Sequence, residues 1–237
     1  MRLLLVSGLH IVAVLSIAQA ALAVSNGQKV APADPIRSLT VSIYSYDDDC
    51  TGVSIAPQFI LTARHCRIDS TTRVFFSTAR PYKITGHFVP NVNRVTAKDE
   101  HDLAILRIAT DVAGPVAAIA DQAATPKNGT MSWMAGYGGR KIRIRNEPLR
   151  KLAVKMSDRD YSPSAVAVQT AAPGAVCDGD SGGPGYTERD GRIIVWGIDS
   201  GPLDGRSTCA SLEVFAKVAS EHDWIEKIIS DQQLARF

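Results

Sequence analysis

The sequence lacks a strong charge of either sign. Its 26 Lys and Arg against 24 Asp and Glu leave a formal net charge of +2, too little for the basic field that draws a protein to nucleic acid. Beyond the first two dozen residues it has no apolar run long enough to span a bilayer. No internal repeat and no low-complexity tract is present, which sets aside solenoids and disordered tails. Cysteine is scarce: there are four in 237 residues, none in the Cys-x-x-Cys spacing that zinc sites favour. Helical periodicity is almost missing until the C-terminus.

What is there begins with an address. Met1-Arg2 gives a short basic start, Leu3 to Ala18 is mostly apolar, and the small residues AQAALA follow. This layout predicts a secretory signal peptide over residues 1–23, with cleavage after Ala20 or Ala23. Leu3 to Val24 is nearly long enough for an uncleaved anchor; the Ala-x-Ala ending favours cleavage, and then no stable membrane anchor remains. The expected product is a secreted or periplasmic domain over 24–237. Its cysteines, Cys50, Cys66, Cys177 and Cys209, are even in number, and an oxidising compartment suggests two disulfides. Four cysteines allow three pairings. Joining neighbours closes one short loop in each half, worth about 3 kcal/mol for a loop of roughly 15 residues.

Short runs rich in Val, Ile, Phe and Thr recur about every ten residues between turn residues, which predicts an all-β fold. They are Leu39–Tyr46, Val53–Ile55, Phe59–Thr62, Arg73–Phe76, Ala104–Ile108, Met131–Tyr137, Leu152–Met156, Val166–Gln169, Ile193–Ile198 and Val214–Val218. Val218, Trp224, Ile225, Ile228 and Ile229 then recur at helical spacing, predicting an amphipathic helix at about 219–233. The Gly-, Pro- and Ala-rich stretch at 110–129 reads as a connector between two strand-rich halves.

One stretch invites chemistry. CDGDSGGPGY, Cys177–Tyr186, surrounds a lone hydroxyl, Ser181, with four glycines. Glycines leave room for a substrate carbonyl and allow the backbone angles that aim N–H groups at it. Serine needs a base, and the base needs orienting. Two histidines offer themselves: His65 in LTARHC, after a strand, and His101 in HDLAIL, beside Asp102 and before one. A Gly-x-Ser-x-Gly esterase elbow sits on a strand–helix turn, whereas this surrounding pattern is all-β.

LTARHC resembles the LTAAHC segment of the chymotrypsin-like (trypsin-like) serine proteases. HDLAIL resembles their Asp segment, and GDSGGP at 179–184 matches their serine motif letter for letter. VSNG at 24–27 resembles the mature start of that family, AGYG at 135–138 its Gly-Trp-Gly segment, and Trp224 falls in the closing helix. The order His, Asp, Ser is also the order in that family. The resemblance implies two packed antiparallel β-barrels with a C-terminal α-helix, the first at about 24–115 and the second at about 116–218. It implies Ser181 as nucleophile, His65 as base and Asp102 as its orienter, with Gly179 and Ser181 N–H groups as oxyanion hole and Ser200 supporting Asp102. It implies the disulfides Cys50–Cys66 and Cys177–Cys209, no metal or organic cofactor, protein or peptide substrates, and protein protease inhibitors as partners. His101 is left without a role. A binding module on a protease-like scaffold is the non-enzyme alternative.

Activation follows the same resemblance. Val24 would be the N-terminus that inserts beside Asp180, and Ala23 before it is not the Lys or Arg an activating protease cuts after. Signal peptidase would then create the active end directly. Specificity is read from the pocket residues. Ala175 stands where trypsins carry Asp. Glu213 resembles a position on the opposite wall where some relatives place an acid, and with Asp199 it favours Lys or Arg before the cut; a shortened loop between Cys209 and Phe215 would instead carry Glu213 out into solvent. Gly201 follows Ser200 at the pocket entrance. Pro202 stands there at a usual glycine position and narrows the mouth, and Asp178 disfavours acidic residues on the leaving side. The alternating charges of GRKIRIRNEPLRK at 139–151 read as a guarded edge or solvated loop. Asn128-Gly129-Thr130 is a glycosylation sequon, meaningful in a eukaryotic secretory pathway.

Overall fold

The computed structural model describes residues 24–46, 49–76, 80–91, 101–138, 148–206 and 208–235. The expected signal peptide and residues 139–147 of the charged run lie outside the described residues. The described chain opens with β1 (Gln28–Lys29) and a short helix α1 (Pro35–Leu39), which starts where the Asp34 side chain accepts the Ile36 N–H and Pro35 fixes the first turn.

Six strands then close the first barrel: β2 (Thr40–Tyr44), β3 (Asp49–Ala56), β4 (Phe59–Thr62), β5 (Arg73–Phe75), β6 (Pro81–Phe88) and β7 (Ala104–Ile108), in the spatial order β2-β3-β4-β7-β6-β5. Closure buries one face of every strand, which carries Val41, Ile43, Ile60, Val74, Leu106 and Ile108; Val53, Phe59, Leu61 and Ile105 on the opposite face are buried as well. The connector carries one short strand, β8 (Ala118–Ile119), parallel to the second barrel.

The second barrel uses β9 (Met131–Gly136), β10 (Arg150–Ser162), β11 (Ala165–Thr170), β13 (Pro184–Arg189), β14 (Arg192–Pro202) and β16 (Leu212–Lys217); a separate ribbon pairs β12 (Val176–Cys177) with β15 (Cys209–Ala210). Its order is β10-β11-β16-β14-β13-β9, closed by pairing of β9 with β10. Trp196, Phe215, Met134, Val154, Val166 and Val168 form its core. The start of the chain joins this half rather than the first. Val24 sits in the second core and β1 pairs with β10. A 3-10 turn (Val218–Glu221) leads into α2 (His222–Leu234), a little later than the periodicity predicts; it packs Ile225, Ile228 and Ile229 into the larger hydrophobic cluster, which joins the first barrel to Tyr186, Ile193, Val195 and Ile198 of the second.

Candidate active site at the barrel junction

The site is assembled from strand ends. β4 stops at Thr62, and the turn after it carries His65 and Cys66; Cys66 is bonded to Cys50 on β3, 16 residues away. β7 pairs with β4 through Thr62 and Ala104, so the residues just before β7 arrive beside that turn. Asp102 stands two residues before β7. Its Oδ2 lies 2.7 Å from His65 Nδ1, its Oδ1 accepts the His65 backbone N–H at 2.8 Å, and the Ser200 hydroxyl donates to Oδ2 at 2.6 Å. A carboxylate that faces Nδ1 places the ring proton there and leaves Nε2 with a lone pair turned away from it. Burial works to raise the Asp102 pKa, but the hydrogen bond and charge of His65 and the Ser200 hydroxyl outweigh it and hold the carboxyl below its ordinary range. Asp102 is 4% exposed on its side chain and His65 is 42% exposed. The acid is inside and the imidazole looks outward.

Across the junction lies the glycine-rich turn. Gly179 and Gly182 have φ of +88° and +81°, a region open to glycine and strained for other residues. A Cβ on Gly182 would come within 2.2 Å of Thr62 Oγ1, so the close approach of the two barrels needs that glycine. The N–H groups of Asp180, Gly182 and Gly183 are each bonded to backbone carbonyls, of Cys177, Asp199 and Asp180. Among the described residues, the Gly179 and Ser181 N–H groups between them meet no acceptor. Thr51 fastens the turn. Its N–H donates to the Ser181 carbonyl at 2.8 Å, and its hydroxyl donates to the Gly179 carbonyl at 2.9 Å. The Cys66 sulfur lies 3.9 Å from the same Ser181 carbonyl oxygen, so Ser181 abuts the loop that carries His65.

Behind the turn, Asp180 is fully buried and accepts from Val24 N at 2.9 Å, Cys177 N at 3.0 Å and Gly138 N at 2.8 Å. Burial pushes its carboxyl up to about 7, against the pull of those three donors. A Cβ on Gly136 would come within 2.1 Å of Asp180 Oδ1. The AGYG segment is thus a backbone cradle for this carboxylate.

A family model described as Trypsin matches residues 26–225. The chain belongs to the trypsin family. Among curated relatives, it is 28% identical to spermosin of Halocynthia roretzi over 74% of this chain, and 25% identical to scolexin B of Heliothis virescens over 83% of it and 81% of scolexin B. It is also 27% identical to human transmembrane protease serine 5, over 88% of this chain. It spans about half the length of spermosin and of transmembrane protease serine 5, 53% and 52% respectively. Two solved structures share the fold. Mouse neuropsin superposes with a TM-score of 0.68 at 21% identity, covering 86% of this chain and 98% of that one. A scabies mite inactivated protease paralogue gives 0.70 at 22%, covering 86% and 99%.

At residue 175, where the resemblance implies the floor of the primary pocket, this member of the trypsin family has alanine. Ala175 is half-buried, and its backbone bridges to Ser25, Ala175 N donating to Ser25 O at 3.0 Å. The three segments expected to wall that pocket are tied to one another. Val176 and Cys177 pair with Ala210 and Cys209, Pro202 pairs with Glu213, and Asp199 exchanges backbone hydrogen bonds with Gly182 and Gly183. The Cys177–Cys209 disulfide is present beside Cys50–Cys66. Of the two placements open for Glu213, the structure has the inward one: it is 1% exposed. Asp178 is exposed, while Ser200, Gly201 and Pro202 are half-buried along the wall.

Two residues escaped sequence reasoning. Thr51 joins the barrels, yet a threonine in a strand carries no signal of that. His101, left without a role, adopts φ +70° and pairs its Nδ1 with Glu221 Oε1, fastening the segment before Asp102 to the turn that starts α2. That partner stands 120 residues away in the chain, beyond any local pattern. Among the described residues, the one cluster with metal-ligand geometry is Cys50, His65 and Cys66, and its two sulfurs are spent on each other. Asn128 of the sequon is exposed in the turn before β9.

Proposed function

We propose that this chain is a secreted or periplasmic serine endopeptidase that hydrolyses peptide bonds of protein substrates through an acyl-enzyme. Ser181 attacks the scissile carbonyl; His65 Nε2 takes its proton and returns it to the leaving amine. Asp102, held by Ser200, fixes the imidazole and stabilises the imidazolium. The Gly179 and Ser181 N–H groups receive the oxyanion, each such donor being worth roughly 3 kcal/mol. The observation that carries the reading is the His65–Asp102–Ser200 chain set against a turn whose two N–H groups are unspent.

The mature protein begins at Val24, and signal peptidase makes the end. The Val24 nitrogen already lies against Asp180; cutting after Ala23 turns it into an amine, and a protonated amine there would hold Asp180 ionised. The pocket takes Lys or Arg through a buried carboxylate at its back, and protein protease inhibitors bind the same cleft. Incubation with a peptide library tests this, with a Ser181→Ala chain as control. Cleavage that needs Ser181 and clusters after Lys and Arg is expected. No cleavage beyond the control would refute the peptidase; cleavage without that clustering would refute the preference alone.

A further inference from the structure

The two acids at the back of the pocket are not equivalent. Asp199 lies opposite Phe215 on the paired strands β14 and β16, and Glu213 stands two residues before Phe215. Strand alternation turns residues two apart to one face, so Asp199 and the diagonal Glu213 share a side. Both are 1% exposed, and Asp199 Oδ1 and Glu213 Oε2 have no hydrogen-bond partner. Among the described residues no Lys or Arg is ion-paired with either. Two buried carboxylates side by side with no cation cannot both stay ionised.

Their surroundings decide which keeps the proton. Asp199 is faced by His65, which favours its anion, and by Asp180 and Asp102, which oppose it; it also accepts the Gly201 N–H. Glu213 is faced by Asp199, Asp180 and Asp204, all acids. Burial raises both carboxyls, Asp199 to about 8 and Glu213 to about 10. Resting on the reading of this cleft as a peptidase pocket, we propose that Glu213 stays protonated, while Asp199 carries the charge that selects a cationic side chain. Asp199 is then the specificity-determining residue, although it is Glu213 that resembles a position where some trypsin-family members place an acid. A cation in the pocket drives the Asp199 proton to solvent, so cation binding strengthens as pH rises toward about 8.

Benzamidinium, which stays cationic from pH 6 to 9, is the probe. Its affinity for the processed chain is expected to rise at least about tenfold across that range. Asp199→Asn should weaken binding at pH 8.5 by at least roughly tenfold, the loss of a charge-assisted contact. Glu213→Gln, which mimics a protonated glutamate, should keep it within about threefold. The reverse pattern, or a flat profile in the unaltered chain, overturns the proposal. If Asp199→Asn does not fold, the unaltered profile with Glu213→Gln decides in the same way. Fluorophosphonate labelling of Ser181 reads the peptidase separately: a chain that binds benzamidinium with this pattern but is not labelled refutes the peptidase and keeps Asp199.

Discussion

The two barrels bury polar groups in opposite ways. The first half buries Thr40, Ser45, Thr51, Ser54, Gln58, Thr62 and Thr72, Thr51 and Thr62 at the junction, and Asp102 is its one buried acid, fully hydrogen-bonded at the rim. The second buries Asp180, Asp199 and Glu213 close together, and two of these keep an oxygen unpartnered. A buried polar group is tolerated when it is hydrogen-bonded, and a buried charge costs several kcal/mol when it is not. The first half therefore holds its one buried acid fully hydrogen-bonded and, among the described residues, leaves only Arg64 Nη1 buried without a partner. The second stores three carboxylates: Asp180 is met by three backbone N–H groups, while Asp199 and Glu213 each keep an oxygen without a partner.

That contrast orders the expected effects. Replacing His65 or Ser181 with Ala should remove hydrolysis almost wholly, and Asp102→Asn should lower kcat about 10⁴-fold because the imidazole loses its tautomer; steady-state kinetics on a peptide ester measures this. A chain beginning at Ala21 puts three residues where the Val24 amine should be. It should lose roughly a hundredfold in kcat/KM, the scale of one misplaced oxyanion donor, and Edman sequencing of exported protein should start at Val24. Thr51→Val deletes the hydroxyl that holds the Gly179 carbonyl and accepts Tyr137 N. At about 1 kcal/mol per net hydrogen bond, kcat should fall roughly tenfold with KM little changed.

The smallest effect separates the halves by pH. Asp180, Asp199 and Glu213 are all held above their ordinary values. The folded chain therefore keeps protons that the unfolded chain releases, and stability falls as pH rises from about 4 through those values. Asp102 is held below its ordinary value, so its contribution is present above that value and disappears as pH falls through the lowered one. Thermal unfolding should show Tm dropping by several degrees from pH 5 to pH 9, less in Asp199→Asn. The drop should also be smaller in the processed chain, whose Val24 amine offsets Asp180. A flat or rising profile would mean these acids are solvated.

The strands that carry one apolar face into a barrel were legible from their Val, Ile and Phe alternation, and the candidate site from three short motifs. What escaped has physical reasons. β6 (Pro81–Phe88) alternates exposed with half-buried residues and holds Gly86, so its apolar contrast is weak. β13 begins inside the glycine-rich run and reads as loop. α1 has five residues, too few for a period, although Asp34 and Pro35 mark its start. Trypsin-family motifs located His65, Asp102 and Ser181, but the burial of Glu213 beside Asp199 depends on strand register, which no motif encodes.

The most direct measurement is mass-spectrometric mapping of a fluorophosphonate adduct on the processed chain. Modification confined to Ser181, and abolished by His65→Ala, is the expected result, since only an imidazole within reach makes that alcohol nucleophilic. An unmodified Ser181, or one that reacts equally well without His65, would contradict the proposed proton path.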